Sequence, residues 1–459
     1  MGLTRDVAQW VARMSIDEAP PGVVDAARSA IIDTVAVILA GAAEPVSKIV
    51  ADAVAEDGAA PVADRLGARL RTSMEGAALV NGVSGHALDY DDVNRSSIGH
   101  PSVVILPAAL AAAQGAGASG RRLVEAYVAG VEVMTKLGRA MGTAHYRTGW
   151  HATSTLGTLG AAMAAGKVFG LPTEVLQHAL AVAASEASGS RQNFGTMTKP
   201  YHPGHAARCG VAAARLARRG MTGDTTILEA PLGYFAIFAY GEAGTAGLAA
   251  SLGNPYDVVS PGMNVKRYPC CYATHRAADA VLDLVREYEL RAGDVESAEV
   301  TVPPGGLAAV TRDRPRTGLE GKFSLPYVVA AALLDGRVAL DSFTDEKVLR
   351  PDAQALLRAV RPVEDPSIAV EFNPIEEGYV TVKIHRRSGA PLKRRVDYPR
   401  GAPQNPLSRE ELHEKFRDCA RGVLPPVQSA RALDLLASIE ALPRLDDLIA
   451  SLVPPEGGA

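Results

Sequence analysis

Between two alanine-rich apolar runs the chain places HALDYDDVNRSSIGHPS, residues 86–102, a short connector dense in carboxylates and histidines with one arginine. An imidazole beside a carboxylate suits general acid–base work near neutral pH, because the pair can hold or release a proton there. Three further polar clusters stand beside apolar helices. GWH ends at His151, ahead of a long alanine-rich run; MTKPYHPGHAAR carries Lys199, His202, His205 and Arg208; KRYPCCYATHR carries Lys266, Arg267, Cys271 and His275. Each also has an ordinary explanation. A histidine before a helix caps or packs, a Lys-Pro pair makes a surface turn, and clustered aspartates cap a helix among solvated neighbours. The recurring combination points the other way, since helix N-termini and Lys or Arg heads favour carboxylate ligands.

The elements that must position these groups are mostly helical. Segments such as VVDAARSAIIDTVAVILAG, LVEAYVAGVEVMTKLGRAMG, STLGTLGAAMAAGKVFG and GHAARCGVAAARLARRG space their apolar residues three and four apart and stop at glycine. This texture predicts a helical domain over residues 1–263. From 264 to 400 the pattern is α+β: AEVTVPPGG and YVTVKIHRR–SGAP–LKRRVDYP read as strands, with helices at AADAVLDLVREYEL and LPYVVAAALLDG. Residues 401–459 return to amphipathic helix, expected to pack on the first domain and make it discontinuous; the final VPPEGGA is expected to be loose.

Composition narrows the partners. With 47 Lys+Arg against 51 Asp+Glu, a net charge of −4 and no basic block beyond the HRRSGAPLKRR hairpin, nucleic acid is not an expected partner. The four cysteines fit neither a disulfide framework nor a metal-binding spacing, and thiolate ligation of an iron–sulfur cluster wants more spaced cysteines than Cys270 and Cys271. GAAMAAGKV misses the phosphate-loop spacing and follows no strand. The N-terminal stretch lacks a signal-peptide core and a myristoylation pattern, and the long uncharged run from Pro101 to Gly120 is broken by proline, glutamine and glycines. A cytoplasmic protein without a membrane partner is the expectation.

Five segments, taken in order, resemble the signatures of the MmgE/PrpD family: HALDYDD…GHPS, GWHATSTLGTLGAAMAAGKVFGL, TKPYHPGHAARCGVAAARLARRGMTG, KRYPCCYATHRAADAVLDL and GKFSLPYVVAAALLDG. That family includes 2-methylcitrate dehydratases, cis-aconitate decarboxylases and an iminodisuccinate epimerase. The resemblance implies a mainly α fold: a large all-helical domain built from both chain ends, plus a smaller α+β lid, with the site between them. It also implies a homodimer, a small-molecule carboxylate substrate, and no metal or organic cofactor. Carried over by position, the catalytic candidates are His151, His100, Asp91 and Lys199. The substrate-binding candidates are Asp89, Arg95, Lys266, Cys271, His275, Lys322 and Tyr327.

The shared chemistry is proton movement, or loss of a carboxylate, at a carbon next to a carboxylate. Such a carbon acid is weak, so cations must stabilise the charge that develops; Lys199 and Lys266 fit that role. His151 and His100 are the proton-transfer candidates, with Asp91 tuning one of them. Two departures bear on substrate shape. Val93, Asn94 and Arg95 follow DYDD where the family commonly has threonine and then an aromatic or histidine, and Cys271 stands where decarboxylase-like members carry histidine. The leading expectation is a dehydratase on a 2-methylcitrate-like acid. A decarboxylase or epimerase on a diverged substrate is the alternative, and a non-catalytic dimeric helical protein is the third.

Overall fold

The computed structural model describes residues 2–455, so the last four residues of VPPEGGA lie outside the described residues. The chain divides into two compact units, one of Met1–Gln192, Met197–Val265 and Ser408–Ala459, the other of Asn193–Thr196 and Lys266–Leu407. The architecture is mainly α, as the periodicity predicts, with the larger sheet confined to the second unit.

In the first unit six helices position the polar clusters: α1 (Val23–Gly41), α2 (Met74–His86), α3 (Ser102–Ala116), α4 (Gly120–Met141), α5 (Ala152–Val168) and α6 (Thr198–Arg218). Serines at 73 and 119 cap α2 and α4 by accepting from the backbone N–H groups of Gly76 and Arg122. The α5 helix is buried along its whole length, and its glycines and alanines let neighbouring helices come close. A Cβ on Gly160 would lie 2.8 Å from the Gly130 carbonyl of α4. The same device joins α2 to α6. A Cβ on Gly82 would lie 2.6 Å from the Gly204 Cα, and one on Gly204 would lie 2.4 Å from the Leu79 carbonyl. Two helices touch there backbone to backbone, and the polar ends that follow, His86 on one and Lys199 on the other, are drawn together.

Two local features differ from the sequence reading. The helix read from Gly204 begins earlier, so that TKPYHP forms the first turns of α6. Pro200 falls in the first turn, where no backbone N–H is needed, and Pro203 costs the helix one internal hydrogen bond. A two-residue hairpin, Ala63–Asp64 with Arg71–Thr72, also interrupts the helical run.

The chain's last part returns through α9 (Arg409–Ala420), numbered after two helices of the second unit given below; its N-terminus is a capping box between Ser408 and Glu411. Lys415 on α9 reaches Asp33 of α1 at 2.7 Å, with side chains only 4% and 0% exposed. The same ammonium donates to the Tyr90 carbonyl at 3.0 Å and lies 3.8 Å over the Tyr90 ring. Next along the loop, Asp92 accepts from the backbone N–H and the hydroxyl of Ser102, and that hydroxyl also meets the Tyr127 hydroxyl at 2.6 Å. Burial pushes the Asp92 carboxyl up to about 8, with the neighbouring Asp33 and Asp91 adding to the rise against the Ser102 hydrogen bonds.

The second unit holds a four-stranded sheet flanked by α7 (His275–Tyr288) and α8 (Leu325–Asp335). Strands β1 (Val295–Val302), β2 (Val360–Glu364), β3 (Val380–Arg386) and β4 (Leu392–Val396) lie in the order β2-β1-β3-β4. Only the β1–β2 pair is parallel; Val300 stands opposite Val382 across the antiparallel β1–β3 pair. The SGAP turn joins β3 to β4 as the alternation suggests. Strand β2 escaped the sequence reading because Pro362 interrupts it. It lies at the sheet edge, where a missing N–H is tolerated.

Removing one partner of a buried ion pair leaves the other charge without compensation, which costs about 3–5 kcal/mol. Lys415→Met is therefore expected to lower the unfolding free energy measured by urea titration by an amount in that range, whereas a loss below about 1 kcal/mol would show that the pair contributes no net stability.

Candidate active site

The last residue of α2, the residue before α5 and the first turns of α6 converge with the loop 87–101 on one buried cluster. Lys199 is its centre: its ammonium contacts Asp89 Oδ1 and lies 2.7 Å from His86 Nε2. Asp91 is shared, with Oδ1 2.8 Å from His86 Nδ1 and Oδ2 2.9 Å from His100 Nδ1. The His86 and His100 rings meet edge to face at 4.5 Å between centroids, and His151 lies 6.1 Å from the first and 6.4 Å from the second. His151 Nδ1 is 2.9 Å from His202 Nδ1.

The loop reaches this geometry by an unusual backbone. Asp89 adopts a left-handed conformation, φ 52°, which aspartate tolerates better than most residues. Asn94 then knits the loop together: its Oδ1 accepts from the Ser96 N–H at 2.9 Å, and its Nδ2 donates to the Gly262 carbonyl at 3.0 Å. Val93 exchanges backbone hydrogen bonds with Asn264 at 3.1 and 2.9 Å. Two of the three loop positions that depart from the family pattern therefore fasten the loop to the segment 262–264. The third, Arg95, is half-buried on the loop. The His100 N–H donates to Thr153 Oγ1 of α5 at 3.1 Å.

Burial and neighbours set the charges. Burial alone would raise the Asp91 carboxyl, but His86 and His100 on either side hold it well below the usual carboxylate range. Burial lowers His86 to about 4, with Lys199 and His100 pushing the same way against Asp91. His151 is held well below its ordinary value by burial and then by Lys199, His202, His86 and His100. His202 is lowered to about 4 by burial, His86, Lys199 and His205. His86, His151 and His202 are thus held toward the neutral form at pH 7, beside an ammonium that can stabilise an anion.

Among the described residues, donor atoms of His86, Asp89 and His100 lie within 4.8 Å of one another, a spacing that could hold a metal ion. The Lys199 ammonium bonds two of these three residues, so it already supplies the cation that such a set would bind.

Of the candidates read from the sequence, Asp89, Asp91, His100, His151 and Lys199 come together in this cluster. Lys266, Cys271, His275, Lys322 and Tyr327 belong to the second unit. There the Cys271 N–H donates to the Lys322 carbonyl at 2.9 Å, and the Lys322 ammonium donates to the Pro269 carbonyl at 2.8 Å. Burial pushes the adjacent Cys270 thiol up to about 12, against the lowering charges of Lys266 and Lys322. His275 stands between the Tyr268 and Tyr272 rings, 5.1 Å from each. Tyr327 is fully buried and donates its hydroxyl to the Ser342 carbonyl at 2.5 Å.

Two cluster members, His86 and His202, were not among the candidates. His86 precedes Asp89 by three residues at a helix end. His202, named with Lys199 in the third polar cluster, follows it by three on one helix face, a spacing that brings the two together only once TKPYHP is helical.

Neutral buried histidines make stability depend on pH. In the unfolded chain they titrate near 6.5; in the fold, His86 and His202 are lowered to about 4. Between these values the unfolded state binds more protons, so stability is lost as pH falls through that window. The Tm should drop progressively from pH 6.5 to 4; a Tm that stays level over that range would contradict the neutral assignment.

The model of the MmgE/PrpD N-terminal domain matches residues 5–245, and that of the MmgE/PrpD C-terminal domain matches residues 268–441. A cis-aconitate decarboxylase from Homo sapiens is 33% identical over 83% of this chain and 80% of its own length. A cis-aconitate decarboxylase from Aspergillus terreus is 25% identical over 99% of this chain and 96% of its own length. A mitochondrial 2-methylcitrate dehydratase from Yarrowia lipolytica is 25% identical over 51% of this chain and 46% of its own length. With both domain models matched over most of its length, the chain belongs to the MmgE/PrpD family.

Proposed function

We propose that the chain is a lyase acting on a small di- or tricarboxylate without a metal or organic cofactor. The observation that carries this reading is the Lys199 ammonium, held by Asp89 and His86 beside His100 and His151. A carbon next to a carboxylate bears negative charge only when a fixed cation stabilises it, and neutral imidazoles beside that cation can move the proton.

Decarboxylation of a cis-aconitate-like acid is the first form. The bond to one carboxylate breaks, CO₂ leaves, the electron pair remains as an enolate-like anion near Lys199, and an imidazole delivers a proton to carbon. The relatives that match most of both chains favour it. Dehydration is the second form, favoured by the dehydratase relative: an imidazole removes the proton beside the carboxylate and the hydroxyl leaves as water after taking a proton. In both, His151 and His100 transfer protons, Asp91 tunes His100, and Asp89 holds Lys199. Arg95 is our candidate for binding a substrate carboxylate. Lys266, Cys271, His275, Lys322 and Tyr327 stay in the reading as binding candidates of the second unit. We also read the protein as a homodimer, on the family resemblance, and as cytoplasmic, on its composition; among the described residues no helix is long and apolar enough to cross a membrane.

Proton NMR in D₂O, with metal-free protein and a panel of 2-methylcitrate, citrate, cis-aconitate, malate and iminodisuccinate, separates the chemistries. Loss of CO₂ from cis-aconitate is the expected result, loss of water from a hydroxy acid would assign the second form, and deuterium exchange alone would assign an epimerase. His151→Ala should reduce turnover by at least about 10²-fold while the protein stays folded by circular dichroism. Undiminished turnover in that variant would remove His151 from the mechanism.

A further inference from the structure

His202 stands one turn after Lys199 on α6, buried, with its Nδ1 2.9 Å from the Nδ1 of His151. Its backbone carbonyl accepts from Ser154 Oγ at 3.3 Å, one turn into the helix that His151 precedes. Two imidazole nitrogens at this distance need one hydrogen between them. With none, two lone pairs face each other; with two, two N–H groups collide. The pair therefore holds a single shared hydrogen, and the tautomer of each ring dictates that of the other.

We propose that His202 is a positioning residue that fixes which nitrogen of His151 carries hydrogen and serves with it as a one-proton store. In the base-ready state His151 bears the shared hydrogen on Nδ1 and has a lone pair on Nε2, while His202 bears hydrogen on Nε2. When Nε2 of His151 takes a proton, its Nδ1–H bond breaks and that hydrogen passes to Nδ1 of His202. His151 is left neutral, with hydrogen on Nε2, and the positive charge rests on His202. Reversal returns the proton, so the same pair serves a carbon that must be deprotonated or reprotonated. His151 faces Lys199, His202, His86 and His100; His202 faces His86, Lys199 and His205. Of these, His202 is hydrogen-bonded to His151 ring nitrogen to ring nitrogen. The inference rests on His151 being the proton-transfer group of the proposed lyase.

The test combines spectra that need no substrate with kinetics that do. Long-range ¹H–¹⁵N correlation spectra of protein labelled with ¹⁵N-histidine, assigned with His151→Ala and His202→Ala, should show one Nδ1 of the pair protonated and the other bare. In His202→Ala the His151 signals should collapse to a tautomer mixture. His202→Asn, whose amide can replace Nδ1 but cannot carry the charge, should restore a single tautomer. On the substrate found above, His202→Ala should lower kcat by about 10²-fold with KM changed little, and move the acid limb of the pH profile toward neutrality. The asparagine variant should recover part of kcat but not the limb. His151 signals unchanged in His202→Ala would overturn the proposal, as would a kcat and pH profile equal to those of the unaltered protein. A protein inert toward every acid in the panel would instead sink the lyase reading, and the spectra would still decide whether the pair shares its hydrogen.

Discussion

An ammonium ion almost wholly out of water is the constraint around which the first unit is arranged. A buried charge of that kind costs several kcal/mol unless its donors are satisfied, and Lys199 meets that cost with the Asp89 carboxylate and the His86 ring. Each partner needs support in turn. His86 must be neutral at Nε2 to accept, and Asp91 secures this by taking the hydrogen bond at Nδ1. Asp89 must project from a left-handed backbone position, and the knitting by Asn94 and the pairing of Val93 with Asn264 hold the loop that allows it. The cluster is a chain of obligations that starts at one nitrogen.

A second buried layer lies against the same loop and uses the opposite strategy. Asp33 pairs with the Lys415 ammonium, while Asp92, one residue beyond Asp91, is pushed toward the neutral acid by burial, with Asp33 and Asp91 adding to the rise. Adjacent aspartates thus meet opposite fates. Asp91, flanked by two imidazoles, is held toward the anion; Asp92, facing hydroxyls, is pushed toward the neutral acid. The helix bearing Lys415 comes from the far end of the sequence, so the return of the chain is what completes the support behind DYDD.

Much of this was readable in advance, for physical reasons. The helices from Val23 to Gly41 and from Ala152 to Val168 follow directly from apolar spacing and terminal glycine, and the SGAP hairpin from alternation. The polar composition of the 86–102 connector marked it as chemically unusual. What stayed hidden involved neighbours distant in sequence. Proline at 200 and 203 masked a helix because a buried crossing, not local propensity, stabilises it. Proline at 362 masked a strand because only the sheet order shows that it is an edge. His86 and His202 were visible as residues, but their pairing with Asp91 and His151 is a property of packed helices.

The contact of Gly82 with Gly204 carries a consequence for anyone engineering this chain. Alanine for glycine inside a helix is a standard route to thermal hardening, worth up to about 1 kcal/mol through helix propensity. Here the added methyl would meet backbone, not a yielding side chain, so α2 and α6 would have to slide or part. His86 and Lys199 lie within about one turn of that contact, and a displacement of the order of 1 Å between reacting groups can cost about 10²-fold in rate. Consensus or propensity-guided hardening that includes either glycine would exchange catalytic alignment for a helix that is better only in isolation.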